Sequence, residues 1–173
     1  MDHLEASQFR EYLAVRQAAL FRSALLLTGH RQDAEDLLQS ALTKLAQRWP
    51  AVNRTGAPDA YLRTTMYHQW ISWWRRHRSG REYAVDVAPD APLPGDIATN
   101  GTLRVALAKV LSQLTPKQRA VIVLRYYEDL PESEVARILG CSVGTVRSQA
   151  HRTLARLREL CPDLAPEKEF DTA

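Results

Sequence analysis

Cysteine is nearly missing from this chain: only Cys141 and Cys161 occur among its 173 residues. They are too far apart for a Cys-x-x-Cys pair and too few for a disulfide framework, so both read as thiols in a reducing compartment. No apolar run reaches the length of a membrane span, and the start MDHLEASQFREYL lacks a signal-peptide core. A cytoplasmic protein with no membrane insertion is therefore expected. The histidines His3, His30, His68, His77 and His151 are scattered, and the acids cluster only at one helix start and in one linker. That leaves no metal-ligand set, and neither a nucleotide-binding glycine loop nor a nucleophile motif is present. The expectation is no catalytic residue, no metal and no cofactor. Internal repeats and strand alternation are lacking too, which points to an all-α fold. The net charge is only +3, so basicity matters only where it is concentrated.

One composition break divides the chain. Residues 79–102, SGREYAVDVAPDAPLPGDIATNGT, hold Pro89, Pro92, Pro94, three glycines and a net charge of −3, without helical periodicity. This is a linker composition. We assign an N-terminal domain to 6–80, the linker to 81–102, a C-terminal domain to 103–161 and a short tail to 162–173. Each domain is small enough to be a helical bundle with a modest core.

In the N-terminal domain, Phe9, Leu13, Leu20, Ala24 and Leu27 predict an apolar helix face over 9–27, stopped by Gly29. A second helix is predicted over 33–49, with Ala34, Leu37, Leu38, Ala41, Leu42 and Leu45 on one side. Asp33, Glu35 and Asp36 in its first turn and Lys44 and Arg48 in its last suit the helix dipole, which by itself accounts for these charges. Pro50 and residues 53–58 read as a loop containing Arg54 and Gly56.

Residues 61–81, YLRTTMYHQWISWWRRHRSGR, contain five arginines and no acid, interleaved with Tyr61, Tyr67, Trp70, Trp73 and Trp74. Three tryptophans within five positions cannot all point inward on one helix. Exposed rings between arginines suit single-stranded nucleic acid, where bases stack and guanidinium groups track phosphates. A protein-binding face is the alternative.

The stretch 132–157 has the pattern of a helix-turn-helix. Val135, Ile138 and Leu139 share one face, Ala136 is small where a second helix would cross, and Gly140 suits a helix end at positive φ. Ser142 is placed to cap the next helix, along which Val146, Ala150, Leu154 and Leu157 form a buried stripe. Arg147, Ser148, His151 and Arg152 are left on the open face. From Val135 to Arg158 there are five arginines and no carboxylate, as a helix approaching a polyanion requires. A solvated face of an ordinary helix pair is the plainer alternative.

Taken together, AEDLLQSALTKLAQRW at 34–49, YLRTTMYHQWISWWRRHR at 61–78 and LTPKQRAVIVLRYYEDLPESEVARILGCSVGTVRS at 114–148 resemble the extracytoplasmic-function sigma factors, the compact group of the bacterial sigma-70 family. In the last block Thr115, Pro116 and Gln118 make a capping box with proline at the first helical position. The resemblance implies a sigma-2-type domain and a sigma-4-type helix-turn-helix domain. The implied function is to bind core RNA polymerase and direct promoter-specific transcription initiation. Core polymerase, through the clamp helices of its largest subunit, and promoter DNA, duplex and single-stranded, are the implied partners. An anti-sigma factor is a further partner the resemblance admits.

By position, the resemblance implies polymerase contacts at Asp33, Asp36, Leu38, Gln39 and Thr43. It implies recognition and melting of the −10 element by Arg54, Tyr61, Arg63, Tyr67, His68, Trp70, Trp73, Arg75 and Arg76. The −35 duplex falls to Gly144, Thr145, Arg147, Ser148, Gln149, His151 and Arg152, with the amides of Gly144 and Thr145 set near a phosphate. Ser40 stands where the family usually has a carboxylate, His68 where asparagine is common, Ser72 where aspartate is common, and Gln149 where arginine is usual. A stand-alone repressor would leave the tryptophans of 61–81 unexplained, and an enzyme acting on nucleic acid lacks clustered ligands. The modest net charge and long linker lead to one more expectation: the free domains pack together and hide both DNA faces.

Overall fold

The computed structural model describes residues 2–77 and 109–160. The linker at 81–102, Arg78, Arg81, Cys161 and the tail at 162–173 lie outside the described residues. The helices of the described residues are α1 His3–Thr28, α2 Arg31–Arg54, α3 Pro58–His77, α4 Pro116–Ile122, α5 Glu132–Leu139 and α6 Val143–Leu160. A π-helical turn, Val123–Tyr127, continues α4, and residues 109–112 are helical just before it. Among the described residues there is no strand, in line with the all-α expectation.

Local chemistry sets most helix ends. Asp2 caps α1 in a reciprocal box with Glu5, so this helix begins well before the predicted start at residue 9. Gly29 ends it at φ 78°, and Gly140 ends α5 at φ 63°, a region where a side chain would be strained. Thr115 and Gln118 cap α4 reciprocally, with Pro116 at the first position. Ser142 Oγ accepts the Thr145 amide at 3.1 Å and opens α6.

Pro50 does not end α2, contrary to the loop predicted there; the helix continues to Arg54. An interior proline removes one backbone hydrogen bond and costs about 3 kcal/mol. Here Trp49 and Val52 are both buried on either side of it. Phe9 meets the Trp49 ring edge-on at 5.0 Å, and Tyr12 lies 5.4 Å from it. Burying two large side chains is worth about 1.5–3 kcal/mol each, enough to hold the last turn on the core.

In the N-terminal half, α1, α2 and α3 form an antiparallel bundle around Leu27, Leu45, Trp49, Leu62, Met66 and Tyr67, all essentially inaccessible. Asp59, in the first turn of α3, accepts from Tyr12 Oη at 2.8 Å and Arg16 Nε at 3.0 Å, pinning α1 to α3. In the C-terminal half, Val121, Leu124, Val135, Ile138 and Val146 are buried where α4, α5 and α6 meet. Thr153 is buried too, its hydroxyl turned back to the Gln149 carbonyl at 2.7 Å.

Two separate small cores were expected; instead the buried residues of both halves form one continuous cluster. Polar contacts stitch the seam. The guanidinium of Arg119 is buried and donates Nη1 to the Leu27 carbonyl at 2.7 Å, and Nε and Nη2 to the Leu111 carbonyl at 2.9 and 2.5 Å. Helix α1 has no basic residue in its own last turn, so the other half supplies the cation that its carbonyl end favours. Burial lowers the Arg119 pKa to about 10, which leaves it charged at neutral pH. Glu128, just after the π-helical turn, accepts from Arg63 Nε at 3.1 Å and from the Ser23 hydroxyl. Arg22 donates to the Tyr127 hydroxyl at 3.1 Å.

Candidate nucleic-acid interface

Helix α6 lies on the outside of the C-terminal half. Its buried side is Val146, Ala150 and Thr153; Gly144, Thr145, Arg147, His151 and Arg152 are exposed, with Ser148 and Gln149 half-buried. These positions form one continuous face around the helix N-terminus. Of the two amides expected near a phosphate, that of Thr145 is already taken by the Ser142 cap, so only Gly144 keeps that role. Arg147 reaches across to Glu132 at 2.8 Å, and its side chain stays 71% exposed. The guanidinium holds the Glu132 carboxyl below the usual carboxylate range, and the pairing raises Arg147 in turn. Glu132 sits just ahead of the acid-free stretch, so the sequence pattern did not reveal this competitor for a phosphate or a base.

Helix α3 is placed differently. Tyr67 and Trp70 are core residues at 0% and 3% exposure, so the expectation that they stack on bases is corrected. Helical phase puts them on the same inward side as Leu62 and Met66. Trp73 is half-buried against the same core. Burial raises the Tyr67 hydroxyl well above its usual pKa, with Glu128 across the seam adding to the effect. Arg63 is held by Glu128, its side chain only 16% exposed. His68 Nε2 lies 2.6 Å from the Ile138 carbonyl at the end of α5. Since a carbonyl only accepts, Nε2 carries the proton in this contact. Tyr61 is half-buried, whereas Arg54, Arg75 and Arg76 are open to solvent.

The expectation that closure hides both DNA faces is not met, since His68, Arg75 and Arg76 on α3 are exposed as well as the face of α6. The seam half-buries Arg63 and bonds His68 to the Ile138 carbonyl, but the His68 side chain and the outer face of α6 both remain exposed.

On α2, Asp36, Gln39 and Thr43 are exposed and Asp33 is half-buried. Leu38 is 4% exposed and belongs to the core, which removes it from the expected polymerase contacts: it follows Leu37 and precedes Ala41 on the inward side. Ser40, also exposed, accepts from Gln69 Nε2 at 3.0 Å.

Between the two halves runs a cleft of about 960 Å³, its walls carrying Lys44, Arg48, Arg75, Arg76, Lys117 and Arg137 together with Tyr61, His68, Thr145 and Gln149. Of these cations the sequence had marked only Arg75 and Arg76 as functional. Arg119 of the seam was missed as well, although positions 116, 119, 120 and 123 share a helical face and mark it as inward-facing. Among the described residues no helix is long and apolar enough to cross a membrane, and no group of three or more metal-ligating side chains comes together.

Comparison with known proteins places both halves. The family model described as Sigma-70 region 2 matches residues 13–80, and that described as Sigma-70, region 4 matches residues 104–157. The RNA polymerase sigma-E factor of Streptomyces avermitilis is 43% identical over 159 residues, spanning 92% of this chain and 88% of that protein. The ECF RNA polymerase sigma factor SigL of Mycobacterium tuberculosis is 31% identical over 159 residues, 89% of each chain. Among solved structures, the sigma factor RpoE of Bartonella quintana, in complex with the anti-sigma factor NepR, is similar with a TM-score of 0.74 and 26% identity. That match covers 92% of this chain and 99% of RpoE.

Proposed function

Because the chain belongs to the extracytoplasmic-function group of the sigma-70 family, we propose that its two halves read a promoter in two different states, duplex at −35 and opened strand at −10. The chain binds core RNA polymerase and directs promoter-specific transcription initiation. Its role is binding and not catalysis, and it acts in the cytoplasm, where polymerase and promoters are. The exposed polar side of α2, Asp36, Gln39 and Thr43, docks on polymerase. Helix α6 enters the −35 major groove. Arg147 and Arg152 are its strongest base-reading side chains, because an arginine fork matches the O6 and N7 atoms of guanine. Arg54, Arg75 and Arg76 hold backbone phosphates near −10, and Tyr61, His68 and Trp73 are the side chains left to meet unpaired bases. An anti-sigma factor is a further partner.

The observation that carries this reading is the helix-turn-helix with an open arginine-bearing face beside a second basic helix whose face lies at the seam. In the closed arrangement His68 and Arg63 are engaged, so reading −10 requires the halves to separate. Polymerase binding to α2 supplies the driving force only if it prefers the open form, and tethering then adds avidity between the two DNA contacts. Run-off transcription with core polymerase on a promoter library tests the reading. Discrete initiation sites sharing −35 and −10 elements are expected; absence of any directed initiation would defeat it.

A further inference from the structure

Closure builds something neither half has alone. Lys44 and Arg48 on α2 and Arg75 and Arg76 on α3 form one wall of the cleft; Lys117 on α4 and Arg137 on α5 face them from the other half. Among the described residues no carboxylate lines this space, and of the six cations only Arg137 has an acidic partner, Glu134 at 2.5 Å. Like charges gathered in a concave, partly apolar site focus a positive potential and oppose closure. The closed form is held by the Arg119 and Glu128 contacts in spite of this repulsion, and an anion in the cleft would relieve it.

The chemistry narrows the anion. Cations on four helices surround the space, so one small ion cannot reach them all, whereas several linked phosphates can. Arginine forks pair bidentately with phosphate oxygens, and lysine adds a point charge. The volume of about 960 Å³ is at the upper end for small-molecule sites. A nucleic-acid strand would also need rings to stack on, but Tyr67 and Trp70 are buried in this form, and the rings at the wall are Tyr61, half-buried, and His68, held by the Ile138 carbonyl. We propose that the cleft between the halves is a binding site for a linear phosphate chain, which holds the protein closed and opposes its capture by polymerase. The second clause rests on the sigma-factor reading; the first does not.

A ligand gripped by both walls binds only the closed form and shifts the population by mass action. Titration calorimetry of the full chain at low ionic strength, with inorganic tripolyphosphate as the probe, tests the site. One-to-one binding is expected. It should weaken by roughly tenfold or more, about 1.4 kcal/mol per factor of ten, in the Lys117→Glu, Arg137→Glu double variant. A charge-matched control, Arg10→Glu with Arg156→Glu on exposed outer positions, should bind like the parent. Should the double variant fail to fold, Lys117→Gln removes a single exposed charge and must still weaken binding.

An ATP arm separates sources: tighter binding of ATP points to a nucleoside polyphosphate, tighter tripolyphosphate to the free chain, and both support the site. Equal weakening by the control pair, equal affinity for orthophosphate, or a stronger hold on oligothymidylate that ignores Lys117→Gln would each overturn it. In run-off transcription tripolyphosphate should inhibit the parent and spare the double variant. Absence of initiation by the parent with no tripolyphosphate added would instead count against the sigma-factor role.

Discussion

Helices α3 and α6 begin from similar material, since 61–77 contains no acid and 143–158 contains none either. Their fates differ because of where each is packed. Helix α3 sits centrally, with α2 on one side and α5 across the seam, so Leu62, Met66, Tyr67 and Trp70 are buried and His68 is engaged by Ile138. Helix α6 packs on α4 and α5 at the edge of the molecule, and only one side of it is covered. The comparison teaches that an arginine-rich, acid-free stretch of helix is a DNA face only where the fold leaves it uncovered. For α3 that depends on the conformational state, and for α6 it does not.

The largest expected effect breaks the N-terminal half itself. Trp49→Ala should cost about 3–5 kcal/mol, the usual range for truncating a buried tryptophan. Because the halves share one core, a single lowered transition in a circular-dichroism melt is expected. A surviving α6 signal above the melt would show that the two helices belong to independent units after all.

Arg119→Met should come next. It leaves the Leu27 and Leu111 carbonyls without their buried donor, at a cost of about 1–3 kcal/mol, and should open the seam. X-ray scattering should then give a larger radius of gyration, and a single-stranded −10 oligonucleotide should bind more tightly while −35 duplex binding by α6 is unchanged. Equal gains at both sites would erase the distinction between a covered and an open helix.

Arg152→Ala probes the open face alone. Loss of about 1–3 kcal/mol of discrimination at one base pair of the −35 element is expected, read by competition binding in the polymerase complex. Arg75→Ala should instead weaken binding uniformly across sequences and reduce the salt slope by about one.

Much of this was legible in the sequence, and the reason is local. Gly29, Gly140, Thr115, Pro116, Gln118 and Ser142 act through backbone groups a few residues away, so their positions alone fix the helix ends they set. The helix-turn-helix face was readable for the same reason: its stripe is periodic, and α6 meets little beyond its own neighbours. Pro50 was misread because a helix-breaking preference was outweighed by the burial of Trp49 and Val52. Tyr67, Trp70 and Leu38 were assigned outward because composition does not say which side of a helix meets a core. The seam was expected in outline only, since Arg119, Glu128 and His68 find partners 92, 65 to 105 and 70 residues away. The cleft's cations were mostly invisible because each looks like an ordinary solvated charge until closure brings them to one place.

The smallest expected effect is at Glu132. Its carboxyl is held low by Arg147, so whatever this exposed pair contributes is complete at neutral pH and fades only as acid titrates the carboxyl below its usual range. Glu132→Gln should leave the melting temperature at pH 7 nearly unchanged. With its competitor gone, Arg147 should bind −35 duplex more tightly in a filter or anisotropy assay. Unchanged affinity would mean that Arg147 is already free to reach DNA.

The bond from Arg119 to Leu27 spans 92 residues, and this gives the protein a history during its own synthesis. At roughly 5–20 residues per second, α1 waits on the order of 5–20 s for the side chain that will cap its carbonyl end. Over the last 42 residues of that interval, from His77 to Arg119, the N-terminal bundle is already made and α5 has not yet been translated to bond His68. Every newly made molecule thus starts life with the side of α3 later covered by α5 uncovered, and closure is something it acquires.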